Sequence, residues 1–137
     1  MRISLSLTSA IALVVLLTTP FAAPAADRAS APKAKVISLE SSGRDYVPLL
    51  TGAPESVNMR SGMVVLAPGK SVGKHSTEQN EELLIVFEGQ GEMTFRDGSK
   101  LPVKAQSALY CPPETEHNVT NTGTGPLRYV YVVAGTR

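Results

Sequence analysis

Apolar residues along this chain fall in short runs closed by turn residues, and no stretch repeats at helical spacing. Strands are predicted at Val36-Ile37-Ser38-Leu39, Met63-Val64-Val65-Leu66, Leu83 to Phe87, Glu92-Met93-Thr94-Phe95, Ala108-Leu109-Tyr110-Cys111, around Val119, and from Leu127 to Val133. Leu101-Pro102-Val103 reads as an edge strand, because proline cannot donate to a ladder on both sides. Ala67-Pro68-Gly69, Gly89-Gln90-Gly91, Arg96-Asp97-Gly98 and Asn121 to Pro126 mark turns between them. The segment from Ser41 to Asn58 carries Gly43, Pro48, Gly52 and Pro54 among Tyr46, Val47, Leu49 and Leu50, and reads as an arm with a few apolar anchors. Short strands at close spacing predict an all-β sandwich or barrel. Leu83 to Phe87 is apolar at every position, which predicts burial on both faces, against a second sheet or against a second subunit in a homodimer.

The first residues belong to a different pattern. Arg2 precedes an unbroken apolar run from Ile11 to Leu17, and Ala22-Ala23-Pro24-Ala25-Ala26 follows. This reads as a secretory signal peptide over residues 1–26, cut after Ala25 or Ala26, with a periplasmic or secreted product. The run is well short of the roughly 20 residues that a spanning helix needs, so no stable membrane span is expected after cleavage. Residues 27–35, rich in Ala, Pro and Lys, read as a disordered spacer, and 36–137 as the single folded domain. With Arg2 set aside, 12 basic side chains face 12 acidic ones, without a Lys/Arg stripe, which argues against nucleic acid as a partner. Cys111 is the only cysteine in the chain, so it makes no internal disulfide; its apolar neighbours suggest a buried strand end.

The chemistry-bearing residues are few. The chain has 2 histidines, His75 and His117, each in a polar, turn-rich segment. Glu82 opens the apolar strand and shares a strand face with Leu84 and Val86, so an inward-facing strand would set a carboxylate at the mouth of an apolar interior. Such a group costs several kcal/mol, roughly, unless a metal or hydrogen bonds compensate it. Two histidines and one carboxylate form a set that holds a divalent metal with open positions. On composition alone, the alternative is that both histidines are exposed in loops and Glu82 only solvates the strand start.

The spacing of these residues resembles the cupin superfamily. Its first motif is matched by Gly69, His75, Glu82 and Gly89, with Thr77 where the motif has its second His. Its second motif is matched by Pro112, His117 and Asn121, while Gln106 and Glu114 stand where the motif has glycines. The resemblance implies a small jelly-roll β-barrel, and it implies that His75, Glu82 and His117 are three of the family's four metal ligands, leaving a triad for Fe, Mn or Zn. Glu81 is the neighbouring alternative to Glu82. Thr77, Glu78, Tyr110 and Asn121 are further pocket candidates, with Tyr131 beside them; Glu78 is a candidate acid, base or extra ligand, and Asn121 is also read as a turn former. The implied function is a metal-dependent dioxygenase, isomerase or lyase acting on a small organic acid, phenolic compound or sugar derivative. The alternatives are a metal-free cupin that binds a small sugar-type ligand without catalysis, and a dimer-forming structural protein whose barrel is filled by side chains.

Overall fold

The computed structural model describes residues 31–136; the signal peptide expected at 1–26 lies outside them. Eight strands form among these residues: β1 (Tyr46–Thr51), β2 (Met59–Leu66), β3 (Asn80–Glu88), β4 (Gln90–Phe95), β5 (Lys100–Lys104), β6 (Ser107–Cys111), β7 (His117–Asn121) and β8 (Leu127–Gly135). They make a five-stranded sheet in the order β1-β2-β8-β3-β6 and a three-stranded sheet in the order β5-β4-β7, with antiparallel pairing throughout. This all-β arrangement fits the strand pattern, and it is the jelly roll that the cupin resemblance implies. Ser71 and His75 make isolated antiparallel bridges to Thr120 and His117, so the 71–75 segment runs along the free side of β7 and widens the smaller sheet.

The core lies between the sheets. Strand alternation sends Val64, Leu84, Val86, Met93, Leu109 and Leu127 inward, together with Cys111 and Tyr129. β3 shows the alternation most clearly, because Glu82, Leu84 and Val86 are buried while Leu83, Ile85 and Phe87 between them are exposed. Burial on both faces of β3 is therefore not observed in the single chain: the outer face is open at 37–47% exposure. A second, smaller cluster of Val47, Met63 and Val130 is one cross-strand row on the outer face of β1, β2 and β8.

The first strand departs from expectation. Val36 to Leu39 carries no regular structure, and Val36 is fully exposed. The edge strand comes instead from Tyr46–Thr51, within the predicted arm. An edge position tolerates Pro48 because the missing N–H would face outward, and the register shift between Pro48 and Leu50 absorbs the irregularity. Gln106 and Glu114 keep left-handed backbone angles, with φ of 64° and 57°. A glycine adopts that region without strain, which explains the motif's preference there.

Candidate metal centre

The two histidines are held as a cross-strand pair. His75 N–H donates to the His117 carbonyl at 3.0 Å, and His117 N–H donates back to the His75 carbonyl at 2.9 Å. Such mutual bonding brings side chains on the same face together, and the two rings lie edge to face with centroids 4.4 Å apart. Glu82 arrives from the opposite sheet, on the inner face of β3, in one row with Cys111 on β6 and Val133 on β8. One ligand atom from each of His75, Glu82 and His117 can be chosen so that all three lie within 4.8 Å of one another.

Both imidazoles are oriented by the backbone. His75 Nδ1 lies 2.9 Å from the Gly73 carbonyl, and His117 Nδ1 lies 2.9 Å from the Thr115 carbonyl. A carbonyl only accepts, so Nδ1 carries a proton in each ring, and Nε2 is the nitrogen left to ligate whenever the ring is neutral. This is the arrangement that fixes a metal-ligating histidine in one tautomer. The Cys111 thiol adds a contact to His117 Nδ1 at 3.3 Å. Cys111 is fully buried, and burial together with the nearby Glu82 charge pushes its thiol up to about 11, so it stays neutral.

Glu82 Oε2 and His117 Nε2 approach to 3.0 Å, both in nearly complete burial. The two atoms are within ion-pair distance of each other, but neither makes a hydrogen bond of good geometry. Burial alone would lower the His117 pKa; the Glu82 carboxylate and the Thr115 carbonyl outweigh it and leave His117 above the ordinary histidine value. Two buried, converging ligand atoms without a well-formed hydrogen bond are costly once His117 is neutral, and a cation between them would satisfy both. The residues present therefore fit a divalent metal.

Thr77 lines the same cavity, but its hydroxyl donates to the Asn80 carbonyl at 2.8 Å and is committed to that turn. Other sequence candidates are placed elsewhere. Tyr110 is 55% exposed on the outer face of β6, where its hydroxyl donates to Glu81, so it does not line the cavity. Strand parity explains this, since Leu109 and Cys111 take the inward positions. Glu81, by the same parity, is off the inner face that Glu82 occupies. Glu78 is exposed with a φ of 54°, and its carbonyl accepts the Glu114 N–H, so it ties two loops together outside the cavity. Asn121 is buried, but its amide caps the β7–β8 turn: Nδ2 donates to the Leu66 and Gly125 carbonyls, and Oδ1 accepts from Gly123 N–H. The cavity also takes in Tyr46 and Tyr129, which the sequence reading left unassigned. The alternation of Leu127, Tyr129, Tyr131 and Val133 was a usable signal for Tyr129 once Tyr131 was considered.

Residues 62–133, more than half of the chain, match the profile of the cupin domain. The chain belongs to the cupin family. Over 64 residues it is 34% identical to an uncharacterised protein of Methanocaldococcus jannaschii, covering 47% of this chain and 50% of that protein. Over 69 residues it is 33% identical to an oxalate-binding protein of Thermotoga maritima, covering 50% of this chain and 55% of that protein. The chain thus spans about half the length of the curated relatives it matches. Among solved structures, a predicted oxalate decarboxylase from Thermotoga maritima superposes with a TM-score of 0.61 at 26% identity, covering 66% of this chain and 79% of that one. This cupin domain presents a His/Glu/His group able to hold a divalent metal.

Proposed function

We propose that this cupin is exported, binds one divalent metal through His75, Glu82 and His117, and acts on a small oxygen-bearing organic ligand in the adjoining cavity. What carries this is the convergence of ligand atoms from His75, Glu82 and His117 within 4.8 Å of one another, the last two buried at 3.0 Å without a well-formed hydrogen bond. Two neutral imidazoles and one carboxylate suit Fe(II), Mn(II) or Zn(II). A bound metal would supply Lewis-acid polarisation of a ligand oxygen. The chain's own residues do the rest. Gly73 and Thr115 hold the imidazoles in the ligating tautomer, Glu82 brings the compensating negative charge, and Thr77, committed to its turn, leaves a coordination position for ligand. Valine and tyrosine walls give the ligand an apolar surface beside the triad.

The names of two relatives make oxalate one ligand to test. A sugar-type ligand fits less well, because among the described residues the lining has no Asn, Gln, Asp, Lys or Arg to match a ring of hydroxyls. The test is elemental analysis of the mature protein, purified without chelator, beside His117→Ala. The reading expects near-stoichiometric metal in the first and its loss in the second, followed by oxygen uptake or turnover with small organic acids. Absence of metal even after reconstitution with Fe(II), Mn(II) or Zn(II) overturns it.

Export rests on Arg2, the apolar run from Ile11 to Leu17 and the small residues up to Ala26. Its check is the N-terminus of the protein recovered from the periplasm or medium, expected at Ala26 or Asp27; an intact Met1 contradicts it. We also propose a homodimer through the open outer face of β3 and β6, where Leu83, Ile85, Phe87 and Tyr110 stand exposed side by side. Light scattering should give twice the chain mass for the wild type and the monomer mass for Ile85→Lys; a monomeric wild type contradicts the dimer.

A further inference from the structure

The cavity beside the triad has a volume of about 360 Å³ and a lining of two kinds. At one end stand His75, Glu82 and His117. The walls beyond them are Val64, Val72, Val119 and Val133. Thr77, Tyr129, Tyr131 and Tyr46 complete the lining, and among the described residues it holds no Lys, Arg or amide side chain. Arg60 shares a face of β2 with Gly62 but is exposed and outside the lining.

The far end is built with some care. Tyr46 on the edge strand and Tyr131 on β8 flank Gly62 of β2, and their rings lie parallel within 9°. A Cβ at Gly62 would meet Tyr46 Cε2 at 2.6 Å, Tyr131 Cε1 at 2.9 Å and the Tyr131 hydroxyl at 3.0 Å. The absence of a side chain at Gly62 is what lets the two rings close over β2. Their hydroxyls then hydrogen-bond at 2.8 Å. Within that pair one O–H is spent on its neighbour; one donor and free lone pairs remain. The pair sits over β2, and Glu82 is on β3 with β8 between them, so the two ends are two strand spacings apart, about 10 Å.

Resting on the metal reading above, we propose that the Tyr46–Tyr131 hydroxyl pair is the second anchor of the ligand site. Its ligand is a chelating oxygen acid with an apolar, ring-sized body and one terminal hydroxyl. The chelating end faces the triad, the apolar body lies between the valines and Tyr129, and the terminal hydroxyl both gives and takes a hydrogen bond at the tyrosine pair. No cation lines that end, and the exposed Arg60 beside it acts on Tyr131 from outside the lining. A two-carbon dicarboxylate such as oxalate is too short to touch both ends. Tyr46 is half-exposed, so discrimination against the analogue that lacks the hydroxyl is limited to the worth of about one hydrogen bond.

The test is calorimetry on the Zn(II)-loaded protein with three probes: 4-hydroxymandelate, mandelate of the same hand, and oxalate. The wild type should bind 4-hydroxymandelate about tenfold more tightly than mandelate, the worth of one good hydrogen bond, and oxalate more weakly than either. In Tyr131→Phe and in Gly62→Ala, each first shown to keep one zinc per chain, the ratio between the two mandelates should fall to near one. A wild type that prefers oxalate, or a ratio unchanged in both variants, overturns the proposal while the metal reading stands. A wild type that takes up no zinc overturns both.

Discussion

Asn121, read from the sequence both as a pocket candidate and as a turn former, is tied by the structure into the turn, and its replacement separates a structural part from a ligand-handling one. Its side chain makes three hydrogen bonds, at 2.7, 2.8 and 2.8 Å, to Leu66, Gly125 and Gly123, and it is 1% exposed. None of these partners lines the cavity. Removing the amide in Asn121→Ala breaks all three: the Leu66 carbonyl loses its buried partner, and the Gly125 carbonyl and Gly123 N–H in the exposed turn are left to water. At about 1 kcal/mol for each net hydrogen bond, the loss is about 3 kcal/mol. For a domain of this size that lowers the melting temperature by roughly 10–15 °C. Asn121→Asp should be worse, because it keeps the acceptor for Gly123 but turns the Nδ2 donor into an oxygen facing two carbonyls. The assay is thermal denaturation of the metal-free protein, with zinc stoichiometry measured well below the transition. The expected outcome is a large fall in melting temperature with one zinc still bound per chain. A melting temperature within a few degrees of wild type, or lost zinc binding in a fully folded Asn121→Ala, refutes the structural assignment.

Other outcomes follow from the same geometry. Thr77→His places an imidazole where the motif has its second histidine and should tighten Zn(II) binding by at least about tenfold, roughly 1.4 kcal/mol; unchanged affinity by competition with a chelator would mean that the 77 position does not face the metal. Because His117 is held above its ordinary value, the proton it carries in the metal-free state stabilises the fold fully below the unfolded histidine pKa, and that contribution is lost as pH rises through the raised folded value. Metal must displace that proton, so the gain in melting temperature on adding zinc should shrink as pH falls through the raised value; a gain independent of pH between 6 and 8.5 contradicts this. Cys111, fully buried and with its thiol pushed up to about 11, should resist a disulfide reagent at pH 8 in the folded protein and react at once in denaturant; rapid labelling of the folded chain would place it at the surface.

Much of this architecture was legible in the sequence for identifiable reasons. The apolar runs bounded by glycine and proline marked seven of the strands, and the motif spacing carried His75, Glu82 and His117, whose convergence depends on a cross-strand pair no periodicity reveals. What the pattern could not give was which of two irregular segments supplies the edge. Val36 to Leu39 looks more like a strand than Tyr46–Thr51, yet the latter wins because Val47 packs with Met63 and Val130, a long-range contact that outweighs local propensity. Tyr110 was misplaced by the parity of a single strand, and β3 was read as doubly buried because its sequence does not say whether the outer face is covered. The tyrosine pair was out of reach for a related reason: Tyr46 and Tyr131 are 85 residues apart and meet only because Gly62 lies between their strands.

The central claim is a metal ion held by three named side chains, and anomalous diffraction from crystals grown with Zn(II) and collected at the zinc edge tests it most directly. One strong peak per chain is expected about 2.0–2.2 Å from His75 Nε2, His117 Nε2 and a Glu82 oxygen. No peak between these residues, or a peak bound elsewhere while Glu82 and His117 pair directly with each other, would contradict it.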